Sequence, residues 1–177
     1  FERLSVSNIN VARRFQGLKS NYNYFTSYEA KTYKTFFSEE YLKKLNKPTK
    51  KTKFVMEFVF QDMSRTVFKK TILKGSIRGA FCLIISIRDS IKVENLINFQ
   101  KNIKNINQVY SEIWESKENK DYKMSKEESL RGKDKKFSSC LYLEFTNGND
   151  AVFLMDDAKS IFNEAEIGAY QLISTLT

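Results

Sequence analysis

Ile77-Arg78-Gly79-Ala80-Phe81-Cys82-Leu83-Ile84-Ile85-Ser86-Ile87 is the stretch on which the fold turns. Phe81, Leu83, Ile85 and Ile87 alternate with Ala80, Cys82, Ile84 and Ser86, which is the period of a strand. Both sets are largely apolar. A strand over 77–87 is therefore expected in the middle of a sheet, covered on each side.

Working back toward the N-terminus, Phe54, Met56, Phe58 and Phe60 alternate with Val55, Glu57 and Val59 and predict another strand. Gln61-Asp62-Met63-Ser64 reads as a turn, residues 66–73 as a further strand, and Gly75 as a bend or bulge. Ser38-Glu39-Glu40-Tyr41-Leu42 has a capping serine followed by acids in the first turn. It predicts a short helix ending near Asn46, ahead of the only proline, Pro48. The first 25 residues alternate loosely and suggest an extended start.

Toward the C-terminus, Ser90 is placed to cap a long helix. Its apolar positions Val93, Leu96, Ile97, Ile103, Ile106, Val109, Tyr110, Ile113 and Trp114 recur at three- and four-residue steps, with Lys101, Lys104 and Gln108 opposite. Residues of about 116–137 are almost all Lys, Glu, Asp and Asn and read as a charged flexible insertion. Strands over 139–146 and 151–155 flank Asn147-Gly148-Asn149, a hairpin signal. Asp156 or Asp157 would then cap a terminal helix bearing Ile161, Phe162, Ala165, Ala169, Leu172, Ile173 and Leu176 on one face. The sum is a single α+β domain over residues 1–177. It has a mainly antiparallel sheet of about five strands packed with helices, including a long central and a C-terminal helix. Fifteen Phe and nine Tyr supply a core without help from metals or disulfides.

Function is bounded mostly by omission. There is no histidine, so Ser-His-Asp and Cys-His machinery and imidazole metal sites are excluded. No G-x-S-x-G, S-x-x-K, P-loop or dinucleotide fingerprint occurs, and no cofactor is implied. Glu57 and Glu144 leave room only for unmarked carboxylate chemistry, and Asp156-Asp157 is better explained by helix capping than by a cation. Cys82 and Cys140 are expected as two buried thiols packed as small apolar groups. A disulfide between them requires their Cα atoms to come within about 7 Å. No residue is marked as catalytic.

The net charge of +9 is uneven: residues 1–137 hold 29 Lys/Arg against 15 Asp/Glu, and residues 138–177 hold one against six. The positive charge peaks in Lys43-Lys44-Leu45-Asn46-Lys47-Pro48-Thr49-Lys50-Lys51-Thr52-Lys53. Its ordinary reading is a solvated linker. Its functional reading is that Lys43, Lys44, Lys47, Lys50, Lys51 and Lys53 meet sulfate or phosphate as point charges on glycosaminoglycan, nucleic acid or anionic lipid. Arg78-Gly79-Ala80-Phe81 partly matches an RNA-recognition strand, but Ala80 stands where the first stacking ring is needed.

No apolar run approaches the roughly 18 residues of a spanning helix, the longest being Ala80 to Ile85. The chain opens on Phe1 and not on methionine, which predicts a leader or tether removed upstream. Gln61-Asp62-Met63-Ser64-Arg65-Thr66-Val67-Phe68-Lys69-Lys70 and Ile77-Arg78-Gly79-Ala80-Phe81-Cys82-Leu83-Ile84-Ile85-Ser86-Ile87-Arg88 resemble the surface lipoproteins of Lyme-disease spirochaetes (Borrelia), a similarity running from about Phe54 onward. That resemblance implies an N-terminal lipid-modified cysteine and tether as the route to the membrane, and an outer-surface or periplasmic location. It also implies an ectodomain, without catalytic residues, that binds host or envelope partners. The expectation is a non-enzymatic binding or structural domain of a bacterial cell-envelope lipoprotein, with a host protein or glycosaminoglycan as partner. The alternative is a cytoplasmic nucleic-acid-binding protein using the lysine-rich surface.

Overall fold

The computed structural model describes residues 2–60, 62–88, 92–103, 107–119, 121 and 123–177. Seven antiparallel strands form one sheet: β1 Ile9–Lys19, β2 Tyr24–Ala30, β3 Phe68–Lys74, β4 Phe81–Ile87, β5 Gln108–Ser116, β6 Ser139–Phe145 and β7 Glu166–Leu176, in the order β2-β1-β7-β4-β6-β5-β3. Among the described residues five α-helices and a 3-10 turn over Tyr33–Phe37 accompany them: α1 Glu39–Asn46, α2 Lys50–Phe58, α3 Val93–Asn102, α4 Lys126–Arg131 and α5 Gly148–Ile161. The α+β class stands, but the sheet has seven strands where about five were expected. The described residues contain no long central helix and no C-terminal helix.

The central strand is where the sequence puts it. β4 lies between β7 and β6, and its buried Leu83, Ile85 and Ile87 face one core while Cys82 and Ile84 face another. Ser38 caps α1 by accepting from the Tyr41 amide at 3.3 Å. The strands expected over 66–73 and 139–146 are β3 and β6, and the extended start holds β1; the element assignments that failed are those where one spacing fits two periods. Residues 54–60 are not a strand. Positions 54 and 58, and 56 and 60, are also one helical turn apart, and Thr49 caps α2 by accepting from the Thr52 amide at 3.2 Å.

The expected long helix breaks into α3 and β5. From Gln108 the β-branched and aromatic residues Tyr110, Ile113 and Trp114 pair in register with β6 or β3 instead, and Val109 sits at a bulge. Its proposed cap, Ser90, and its Ile106 lie outside the described residues, as does Gln61 of the predicted turn. Asn147-Gly148 starts a helix and not a hairpin. The Asn147 side chain accepts from the Asn149 amide at 2.9 Å, and Ala151, Leu154, Met155 and Ala158 then follow at helical spacing onto the sheet. Asp156 and Asp157 fall inside α5 and cap nothing, and the predicted terminal helix is strand β7.

The sheet curls so far that its two edges meet. Glu29 on edge strand β2 and Lys70 on edge strand β3 pair at 2.8 Å, although five strands separate them in the sheet. Between them Phe25 stacks on Trp114 with ring centres 6.5 Å apart, and Trp114 stacks on Tyr142 at 5.0 Å. The convex face is covered by α5 and α3 over Leu83, Ile85, Leu141, Leu143 and Phe145, and the concave face is filled by its own aromatic side chains. A third cluster, Val6, Ile9, Tyr41 and Leu45, seats α1 against the chain start.

Inside the stretch 116–137, α4 is anchored by charge pairing and not by apolar contact. Arg131 and Asp134, both side chains essentially buried, pair at 2.5 Å. Arg3 holds Glu127 at 2.5 Å, and Arg65 approaches Asp134 at 3.3 Å and Glu128 at 4.0 Å. Three carboxylates are thereby matched by three guanidiniums. Both α1 and α2 pack against this helix, so the network fixes the lysine-rich helical corner. No described helix is long and apolar enough to cross a membrane.

Candidate functional site

The six lysines of the basic run are split between two helices. Lys43 and Lys44 lie in the last turn of α1, Lys47 caps its C-terminus, and Lys50, Lys51 and Lys53 occupy the first turn of α2. Three of these placements follow from helix physics, since cations suit the C-terminal end of α1. The other three oppose it, because the first turn of α2 carries three lysines and no acid. Five of the six are exposed and Lys44 is half-buried. Lys43 pairs with Glu39 at 3.5 Å, whereas Lys44, Lys47, Lys50, Lys51 and Lys53 make no ion pair among the described residues. The run is thus neither an extended linker nor internally neutralised.

Sequence reading missed what accompanies these lysines. With 54–60 helical, Met56 is the position of α2 that turns inward, against Arg131 of α4, and Thr52 donates to Glu2 at 2.6 Å. Phe54 and Phe58 point away, 60% and 64% exposed, with their rings 5.2 Å apart, and Val59 beside them is 57% exposed. Lys50, Phe54 and Phe58 form one stripe along the outermost face, at a spacing of four. An alternating Phe pattern read as a half-buried strand gave no hint that two of the rings would be in solvent.

A second polar constellation lies inside the curl. Glu112 and Glu144, each 1% exposed, are diagonal neighbours on the β5–β6 ladder, Glu112 opposite Tyr142 and Glu144 opposite Tyr110. Glu144 accepts from the Tyr142 hydroxyl, from the Gly79 amide at 2.8 Å and from Arg78 at 2.6 Å. Glu112 accepts from the Tyr110 hydroxyl, from Trp114 Nε1 at 2.6 Å and from Lys70 at 2.8 Å. The Arg78 guanidinium lies over the Tyr110 ring at 3.9 Å, and it keeps its proton because the attraction of Glu144, Tyr142, Tyr110 and Glu112 outweighs its burial. Burial first, and the adjoining carboxylate second, push the Tyr110 hydroxyl well above the usual tyrosine range. Burial is likewise the largest cause for Tyr142, so both hydroxyls act as proton donors. Gly79 is required here, since a Cβ at that position would stand 2.3 Å from the Phe145 carbonyl oxygen. Arg78-Gly79 therefore serves an ion pair and a close backbone approach, with no exposed ring for RNA.

The edges of the curl are tied by Glu29, which pairs with Lys70, Arg13 and, at 3.8 Å, Arg78. Burial alone would raise its pKa, but the Lys70 hydrogen bond and the three cations bring it below the ordinary carboxylate value. A depressed native pKa means that the stabilisation is complete above the unfolded value of about 4.3 and is lost as pH falls through the native one. Glu29→Gln should accordingly flatten the acid limb of the stability profile. Urea midpoints measured from pH 6 down to pH 3 check this, and an unchanged slope would refute the edge tie.

Of the two carboxylates singled out in the sequence, Glu57 is exposed on α2 and Glu144 is committed to the interior network, so the fold does not bring them together. Cys82 and Cys140 sit in adjacent strands but four positions apart in register, Cys82 opposite Glu144 and Cys140 opposite Ser86. Both are free and buried. Burial raises the Cys82 thiol well above its ordinary value and pushes Cys140 up to about 12, so neither is a thiolate near neutrality. An open depression of about 350 Å³ is lined by Lys74, Gly75, Ile103, Gln108 and Val109, with no carboxylate, hydroxyl or thiol among these described side chains. Comparison with protein-family models, with curated proteins and with solved structures finds no match, so the geometry of the helical corner and of the curled interior is what bears on function.

Proposed function

We propose that the chain is a non-enzymatic binding domain of a bacterial cell-envelope lipoprotein, and that it docks linear polyanions on the α1–α2 corner. The observation that carries the binding reading is the set of exposed lysines with no ion pair among the described residues, Lys47, Lys50, Lys51 and Lys53, held on two short helices. Isolated lysines are ordinary surface. Three in one first turn, where the helix dipole disfavours cations, form an arrangement that folding does not ask for and an anion would relieve. Lysine ammoniums recognise charge density more than shape, which suits sulfated glycosaminoglycan and phosphodiester backbones alike. The envelope assignment rests on the spirochaetal lipoprotein resemblance, and fractionation of the source cell that finds the native protein only in the cytosol would overturn it.

Retention on heparin and on duplex DNA at low salt, followed by a salt titration, tests the binding. The triple variant Lys50→Ser, Lys51→Ser, Lys53→Ser should elute at clearly lower salt. On DNA its log–log salt slope should fall by about 3, close to one counterion per lysine. Elution at the wild-type salt concentration, or no retention of the wild type, would remove the corner as the site. Preference for heparin over DNA favours the envelope reading, and the reverse order favours a nucleic-acid partner.

A further inference from the structure

We infer that α2 is a membrane-surface contact: its Phe54–Phe58 ridge enters the headgroup region of an anionic bilayer while Lys50, Lys51 and Lys53 stay at the phosphate level. This deepens the polyanion reading and rests on it, since the same lysines supply the attraction. Three observations support the choice of occupant. The rings are the most outward positions of the helix and pack on each other, so they form a convex apolar ridge and not a groove. Charge and apolarity are segregated along the axis: the lysines fill the first turn, and Phe58 and Val59 end the helix about 12 Å further on. That polarity lets the C-terminal end of α2 dip the 5–10 Å typical of interfacial helices, with its basic end at the surface. The acids nearby do not cancel the attraction: Asp62 is paired with Lys135 at 3.2 Å, and Glu57 within the helix and Glu2 on the Thr52 hydroxyl set two acids against Lys47, Lys50, Lys51 and Lys53.

Single-stranded nucleic acid is the nearest competitor, since exposed rings beside lysines can stack bases. The geometry disfavours it. The ring centres are 5.2 Å apart and tilted by 43°, too close for a base to enter between them, and Val59 offers a base nothing. A lipid surface uses all three apolar side chains.

The test is flotation with vesicles of phosphatidylcholine alone or mixed with phosphatidylglycerol, alongside heparin retention and binding to a single-stranded oligonucleotide. The wild type should float with the anionic vesicles and not with the neutral ones. Phe54→Ser with Phe58→Ser should cut vesicle partition at least about tenfold, two half-inserted rings being lost, and leave heparin elution unchanged. The lysine triple variant should lose both, by about fivefold per charge on vesicles. As a direct probe, Phe54→Trp should shift its emission to the blue on anionic vesicles. Because both rings are exposed, the substitutions spare the core, and an unchanged urea midpoint verifies it. Heparin binding without vesicle binding would overturn the membrane contact and leave the polyanion reading standing; binding to neither would overturn both. Vesicle binding that ignores the Phe variants overturns the ridge. So does a concentration-dependent dimer, or oligonucleotide binding in place of vesicle binding, that the same variants abolish.

Discussion

Replacing Arg78 by leucine should destabilise the fold by about 3–5 kcal/mol, because it leaves Glu144 buried without a cation. Glu144 keeps the Tyr142 hydroxyl and the Gly79 amide, but hydrogen bonds from neutral donors do not repay the transfer of a full charge out of water. Glu112 suffers less, since Lys70 remains at 2.8 Å. Urea unfolding followed by far-UV circular dichroism measures the loss, and a change under about 1 kcal/mol would mean that Glu144 is solvated or neutral in the native state. The double variant Arg78→Leu, Glu144→Gln should recover a good part of the loss, because the orphaned charge is then gone.

Asp134→Ala is expected to cost a similar amount, about 3–5 kcal/mol, by a route of which the sequence shows only the local half, Arg131 three residues before it. Asp134 is the hub of the α4 network: it accepts from Arg131 at 2.5 Å, lies 3.3 Å from Arg65 Nε, and donates its amide to Glu128 at 3.1 Å. Removing the carboxylate strands the Arg131 guanidinium, whose side chain is 1% exposed. Because α1 and α2 pack against α4, the variant should also raise protease cleavage within residues 39–58 well before global unfolding. Limited proteolysis with mass mapping distinguishes that local loosening from uniform destabilisation. Cleavage spread evenly over the chain would show that α4 does not organise the corner.

These two effects mark the limit of what patterning reveals. The stretch 116–137 looks unable to fold because its composition offers almost nothing apolar to bury, and that inference assumes apolar burial is the only anchor. Here Arg3 and Arg65 arrive from two distant parts of the chain at Glu127, Glu128 and Asp134, and join the local Arg131–Asp134 pair. No local window contains both halves of the Arg3 and Arg65 pairings. Glu144 was legible as a carboxylate in a strand, but its neighbour Glu112 was read into a helix and its partner Arg78 only as part of an RNA-strand match that fails at Ala80. The lysines were found by composition alone. Phe54 and Phe58 were assigned to a core because large apolar residues usually go there, and only the rotation of α2 about Met56 puts them in solvent.

The sequence by itself determined the central strand 81–87, the capped helix 39–46 before Pro48, the α+β class and the absence of histidine chemistry, since each is settled by neighbours within a few residues. The tertiary structure decided the identity of every segment whose apolar spacing fits two periods: 54–60, the second half of 93–114, 147–155 and 166–176. For these the local preference between helix and strand is worth only a few tenths of a kcal/mol per residue, and several kcal/mol from sheet pairing and burial across the curl outweigh it. The same long-range closure, edge to edge through Glu29 and Lys70, gathers the interior charges. The α4 network turns a run of lysines into a surface.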